Sequence, residues 1–179
     1  RLCGIYFADS TKLAVCHNRR IHSNKVFKGK AARGKTSTGW FYGLKLFLVI
    51  NAFGEIMNAF LTMANVADNH LVTMIKLFSK LKGWAFADKG FINQKAVEEL
   101  LSKGLHLITG IRRNMKNKLV LMEQKILLQK RGVIESVNDI LKTVCDIEHT
   151  RHRSPINALV NLYAGLCSYT FLDRLPSIF

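Results

Sequence analysis

The chain has 179 residues, with 27 Lys+Arg against 12 Asp+Glu, 49% hydrophobic residues, two prolines and four cysteines. That length fits one domain, and the apolar fraction, with 11 Phe and only 22% charged residues, excludes a disordered polybasic tail. A net charge of +15 makes a compact domain repel itself unless its partner is a polyanion, so nucleic acid leads as partner class and an anionic membrane surface comes second.

In chain order, Leu2 to Phe7 reads as a buried strand that delivers Asp9 at its C-terminal end. Residues 16–36 are basic and without period, hence a loop. Trp40 to Ile50 and Glu55 to Met63 are β-like runs about a turn at Asn51 to Gly54, a hairpin. His70 to Leu81 has apolar residues at three- and four-residue steps and predicts an amphipathic helix. Trp84 to Ala87 is a second short apolar strand ending at an acid, Asp88. Gln94 to Ser102 is a helix, Leu105 to Ile111 a last strand, Leu121 to Val144 one long helix, and Pro155 to Leu172 another. The order implies an α/β domain with a mixed sheet of about five strands covered by helices.

The uncharged stretch Ser154 to Leu172 has the length of a bilayer span, but Asn157, Asn161 and Ser168 share one helical face, so it reads as a packed amphipathic helix. Cys3, Cys16, Cys145 and Cys167 contain no CxxC pair, which argues against a zinc site or a disulfide framework and makes a reducing cytosol the default.

A crossover helix lets the strands before Asp9 and Asp88 lie parallel and adjacent, with both carboxylates at the same edge. Two such acids repel unless cations bridge them, and hard oxygen ligands suit Mg²⁺ or Mn²⁺. On the long helix, taking about 100° per residue, Arg131, Asn138, Asp139 and Lys142 fall within about 60° of Glu135. Ile126, Val133, Val137, Ile140, Leu141 and Val144 take the opposite, buried side. An acid for a metal, flanked by two cations for phosphates, suits phosphodiester chemistry.

These residues carry a resemblance. Ala8-Asp9-Ser10-Thr11, Ala87-Asp88-Lys89-Gly90-Phe91 and Arg131-(3)-Glu135-(6)-Lys142 resemble the motifs of bacterial insertion-sequence transposases of the DDE class, in the subgroup with a Y-(2)-R-(3)-E-(6)-K signature. The Tyr of that signature is Leu128 here, and Phe91 stands where Tyr is commoner. The resemblance implies an RNase H-like fold and DNA transposition. Asp9, Asp88 and Glu135 would then be the catalytic acids and would hold two divalent ions that activate water, and later a DNA 3′-hydroxyl. Arg131 and Lys142 would hold backbone phosphates. It further implies double-stranded DNA, both transposon ends and target, as the partner, a homodimer on DNA, no membrane, and a cytoplasmic, nucleoid-associated setting in a bacterium. Residues 1–179 are expected to be a single catalytic domain, a fragment lacking an N-terminal DNA-binding region. The competing reading is a catalytically inactive remnant that still grips DNA.

Gly29 to Thr36 satisfies the G-x₄-G-K-[ST] pattern of a phosphate-binding loop, but no buried strand leads in and no helix leaves, so the pattern is a decoy. Its Arg33 and Lys35, with Arg19 and Arg20, instead read as DNA contacts on a flexible basic loop. Arg112, Arg113, Lys116 and Lys118 read as DNA contacts after the last strand. Residues 16–36 hold seven Lys/Arg and no acid, and residues 110–131 hold seven Lys/Arg and one acid, so the excess charge is concentrated in two segments. His149 and His152, interleaved with Arg151 and Arg153, read as a phosphate-facing turn rather than metal ligands. Trp40, Phe41, Tyr42 and Trp84 read as core or sheet-face residues.

Overall fold

The computed structural model describes residues 3–110, 121–150 and 152–179. Strands β1 (Ile5–Cys16), β2 (Ala32–Thr36), β3 (Gly39–Asn51), β4 (Ile56–Met63), β5 (Gly83–Ala87) and β6 (Leu105–Thr109) are joined by helices α1 (Leu71–Leu77) and α2 (Gln94–Ser102). Helices α3 (Met122–Gln129), α4 (Gly132–Thr143) and α5 (Pro155–Thr170) follow. Among the described residues the sheet has six strands in the order β2-β3-β1-β5-β6, with β4 also paired to β3. β1 runs antiparallel to β3 and parallel to β5, and β5 parallel to β6, so the expected mixed sheet is present.

Period-two alternation sorts the strand residues onto two faces. Tyr6 and Ala8 of β1, Phe47 and Val49 of β3, and Ala85 and Ala87 of β5 pack under α1 and α2. Phe7 and Leu13 of β1, Leu46, Leu48 and Ile50 of β3, and Phe86 of β5 pack under α4 and α5, with Phe7 and Phe86 stacked at 5.7 Å. The sheet is thus a central layer between two helical layers, buried on both faces where the parallel strands lie.

Four sequence expectations change. β1 runs seven residues past Asp9, because β3 pairs with it as far as Cys16. Residues 16–36 are not one loop. They contain a 3-10 turn at Asn18–Arg20 and the edge strand β2, whose Gly34 pairs with Phe41 and presses so close to Ala64 that a Cβ has no room. This pairing removes the phosphate-loop geometry altogether. β2 and β4 occupy successive stretches of the same edge of β3, and Arg33 and Lys35 on β2 are exposed.

The long helix is broken at Lys130–Arg131 into α3 and α4, and the helix expected over 70–81 is confined to Leu71–Leu77. Among the described residues no helix is long and apolar enough to cross a membrane. α5 buries Leu162, Gly165 and Tyr169, and the Tyr169 hydroxyl donates to Gly54 O at 2.8 Å across the sheet end. Its outer face is mixed, exposing Ile156, Leu159, Val160 and Tyr163 beside the polar Asn157 and Ser168.

Candidate active site

The parallel pairing of β1 with β5 ends at Ala8 beside Ala87. The next residue along the chain in each case is an acid, Asp9 and Asp88, and alternation turns Asp9, like Phe7, toward the α4 face. Parallel neighbours are about 4.8 Å apart, so the two carboxylates share one small region. β5 stops at Ala87, where a 3-10 turn over Lys89–Phe91 begins, so Asp9 stands beside the open end of its neighbour although its own strand continues.

Burial first of all pushes the Asp9 carboxyl up to about 6, and the negative charges of Glu135 and Asp88 add to it. The Ser10 backbone N–H and the Arg131 guanidinium pull the other way without restoring the usual carboxylate value. Asn138 Nδ2 of α4 donates to Asp9 Oδ2 at 3.0 Å. Asn138 is 6% exposed, and its Oδ1 is buried without a hydrogen-bond partner among the described residues. The helical wheel had put Asn138 on the solvent face and Ile126 and Val144 on the buried one. Ile126 is in fact 47% and Val144 66% exposed, because the break resets the phase of α3 and α4 ends at Thr143.

Glu135 lies in the first turn of α4 and accepts from Arg131 Nη2 at 2.9 Å. Arg131 sits at the joint between the two helices. An i,i+4 pair exposed on the Glu side is worth only about 0.3–0.5 kcal/mol, so the carboxylate can turn away at little cost. Lys142 is not a free cation beside Glu135. It pairs with Glu148 at 2.9 Å, and Glu148 also accepts from Ala14 N at 2.8 Å beside a bulge in β1, which ties the end of α4 to the sheet. Leu128, in place of the signature Tyr, is partly buried against the same core as α4.

Asp68 was not found from the sequence. It accepts from Ser10 Oγ at 2.8 Å and from Lys45 Nζ at 2.9 Å, and its carboxylate lies against Gly90, two residues past Asp88. It therefore braces the residue after the first acid and the turn after the second from the opposite face of the sheet. An acid among turn residues between β4 and α1 carries no signal of partners so distant in sequence.

Arg19 and Arg20 lie in the 3-10 turn, and Arg33 and Lys35 on β2, all exposed. Arg112, Arg113, Lys116 and Lys118 lie outside the described residues. His149 and His152 stack at 3.8 Å, and His152, with Arg20 and Lys25, lines an open cavity of about 540 Å³. Phe41 and Tyr42 are buried as expected, whereas Trp40 is 62% exposed.

A divalent cation fits Asp9 and Asp88: a buried acid short of countercharge beside a second carboxylate is relieved by a hard cation. Among the described residues no three Asp, Glu, His or Cys side chains stand close enough together to hold one ion, and Glu135 is engaged by Arg131.

The protein is similar to chains in two solved structures. A chain of the piggyBac transposase synaptic complex with hairpin DNA matches with a TM-score of 0.55 and 10% identity, over 92% of this chain and 45% of that one. A chain of the simian T-cell lymphotropic virus intasome in complex with PP2A regulatory subunit B56 gamma matches with a TM-score of 0.53 and 13% identity, over 97% and 51%. The protein thus shares their fold and spans about half their length. No curated protein matches the chain. A family model described as "Transposase DDE domain" matches residues 1–155, which takes in β1, β5, α4 and the acids on them, and the chain belongs to that family.

Proposed function

We propose that this chain is a transposase catalytic domain that binds transposon-end DNA and performs divalent-metal-dependent strand cleavage and strand transfer. The observation that supports the reading is the β1/β5 register, which brings Ala8 and Ala87, the residues just before Asp9 and Asp88, side by side. Asp9 and Asp88 would hold the metal, with Glu135 completing its ligands. The chemistry that Mg²⁺ or Mn²⁺ supplies when bound, with two ions expected, is stabilisation of charge on the attacking and leaving oxygens of a phosphodiester.

The chain's own residues set the stage for that chemistry. Asn138 Nδ2 engages one oxygen of Asp9 and leaves the other for a ligand role. A DNA phosphate reaching Arg131 competes with Glu135 for the guanidinium and frees the carboxylate, since Arg pairs with phosphate in a bidentate fork. Arg19, Arg20, Arg33 and Lys35, with Arg112 and Arg113, contact backbone phosphates. Lys142, held by Glu148, is less available for that task than the exposed Arg19, Arg20, Arg33 and Lys35.

We take residues 1–179 as a single catalytic domain, supported by Tyr169, which lies beyond the matched residues yet is wholly buried in the core under α5. We also propose a homodimer on DNA, in the bacterial cytoplasm and at the nucleoid. α5 has no charged residue, so its exposed Ile156, Val160 and Tyr163 offer two strongly cationic chains a contact with little repulsion. Sedimentation of the protein on end DNA is expected to give two protomers, and Val160→Glu is expected to give one.

The decisive test is incubation with the inverted-repeat DNA flanking the reading frame and Mg²⁺. Nicking at the 3′ ends is expected, and Asp88→Ala and Glu135→Ala are each expected to lower its rate at least a hundredfold. Salt-sensitive DNA binding by the wild type without any metal-dependent cleavage would instead establish the inactive remnant.

A further inference from the structure

Trp40 is the largest side chain that the sequence assigned to the sheet and the structure leaves in solvent. It is the second residue of β3, and its backbone carbonyl accepts from Asn18 Nδ2 at 2.7 Å, which pins the strand there while the indole stays 62% exposed. Register places Lys35 of β2 directly across from it and Arg33 two residues away on the same side of β2. The Lys35 ammonium stands 5.7 Å from the ring centroid, within cation–π range. Asn18, Ile21, Arg33 and Trp40 line an open cavity of about 490 Å³, room enough for a nucleotide.

Alternation along β3 puts Trp40 on the same sheet face as Leu48, and Leu48 is the register partner of Asp9. The indole therefore lies on the face that carries the acids, eight residues along the strand from them, or about 27 Å at 3.4 Å per residue. At about 3.4 Å per nucleotide that is some eight nucleotides of DNA. A solvated aromatic flanked by two cations, with no acid lining its cavity, meets the two needs of an unpaired nucleotide: a flat apolar surface for the base and positive charge for its phosphate.

We propose that Trp40, with Arg33 and Lys35, forms a stacking site for an unpaired nucleotide of the DNA, on the same face as the acids. This rests on the proposed DNA function for its ligand class only, so the test avoids cleavage altogether. Labelled single-stranded (dT)₁₂ and a blunt duplex are titrated by fluorescence anisotropy, without divalent metal, across a range of salt. Trp40→Ala is expected to bind (dT)₁₂ about five- to twentyfold more weakly with an unchanged salt slope, and the duplex as the wild type does. Trp40→Phe is expected to retain most of the affinity. Arg33→Gln combined with Lys35→Gln is expected to reduce the salt slope.

In a Trp84→Phe background, Trp40 emission is expected to be quenched by (dT)₁₂. Unchanged (dT)₁₂ affinity in Trp40→Ala, or an equal loss on both DNAs with the thermal midpoint preserved, would overturn the stacking site. The catalytic reading is tested by cleavage in Asp88→Ala and the stacking site by metal-free binding in Trp40→Ala, so the two ideas fail separately.

Discussion

Asp9→Asn is expected to abolish metal-dependent DNA cleavage and at the same time to raise the thermal midpoint of the metal-free protein at pH 7.5. The Asp9 carboxyl sits at about 6 in the fold against 3.8 for the free group, chiefly through burial and then through Glu135 and Asp88. The folded state thus binds the extra proton between those values, and stability falls as pH rises from about 4 to 6. Above pH 6 the full penalty stands, about 3 kcal/mol for a shift of this size. An amide at position 9 carries no charge to penalise, and its carbonyl still accepts from Asn138. The midpoint is expected to rise by roughly 6–10 °C at pH 7.5 and by almost nothing at pH 4, as a thermal-melt series would show. A midpoint difference between Asp9→Asn and the wild type that is the same at both pH values would mean that burial does not raise the Asp9 carboxyl.

The second large effect is expected at Phe91, which closes the turn that starts at Asp88. Phe91 is buried, meets Phe47 edge to face at 6.1 Å, and donates its backbone N–H to Asp88 O at 3.0 Å. Truncation to Ala removes a whole ring from the core under α1 and α2, at about 3–5 kcal/mol. That is a large share of the roughly 5–15 kcal/mol that stabilises a domain. Urea unfolding should show it as a lower midpoint. Because the ring anchors the turn carrying the second acid, the folded fraction should also cleave DNA more slowly. Phe91→Leu is expected to recover most of both losses. The resemblance suggests a hydroxyl-bearing ring at this position, whereas the burial of Phe91 shows that an apolar ring suffices to set the turn.

The pieces of the fold with strong local signals were legible in the sequence. The α2 helix falls on the expected residues, since Asn93 caps Ala96 N at its start and Gly104 takes a positive φ just beyond its end. The β3–β4 hairpin and the pairing of the strands before Asp9 and Asp88 followed from apolar runs and a crossover. What failed depended on tertiary contacts. Arg33-Gly34-Lys35 has poor strand propensity and becomes β2 only because β3 offers an open edge. The break at Arg131 is marked by no proline, and Gly132 is its only local sign. Asn138 read as a surface residue because its partner, Asp9, is 129 positions away. Asp68 was invisible for the same reason, its partners Ser10 and Lys45 lying on two other strands.

The placement of positive charge on β2 bears on more than DNA. β2 and β4 together form one margin of the sheet, and unpaired backbone groups at such a margin invite strand addition from another chain. Arg33 and Lys35 stand exposed on the strand at that margin, so a second copy approaching edge to edge brings like charges against them. A strand that would welcome a polyanion is by the same chemistry closed to its own kind. Neutralising both residues to loosen the grip on DNA would also uncover a template for sheet-to-sheet aggregation.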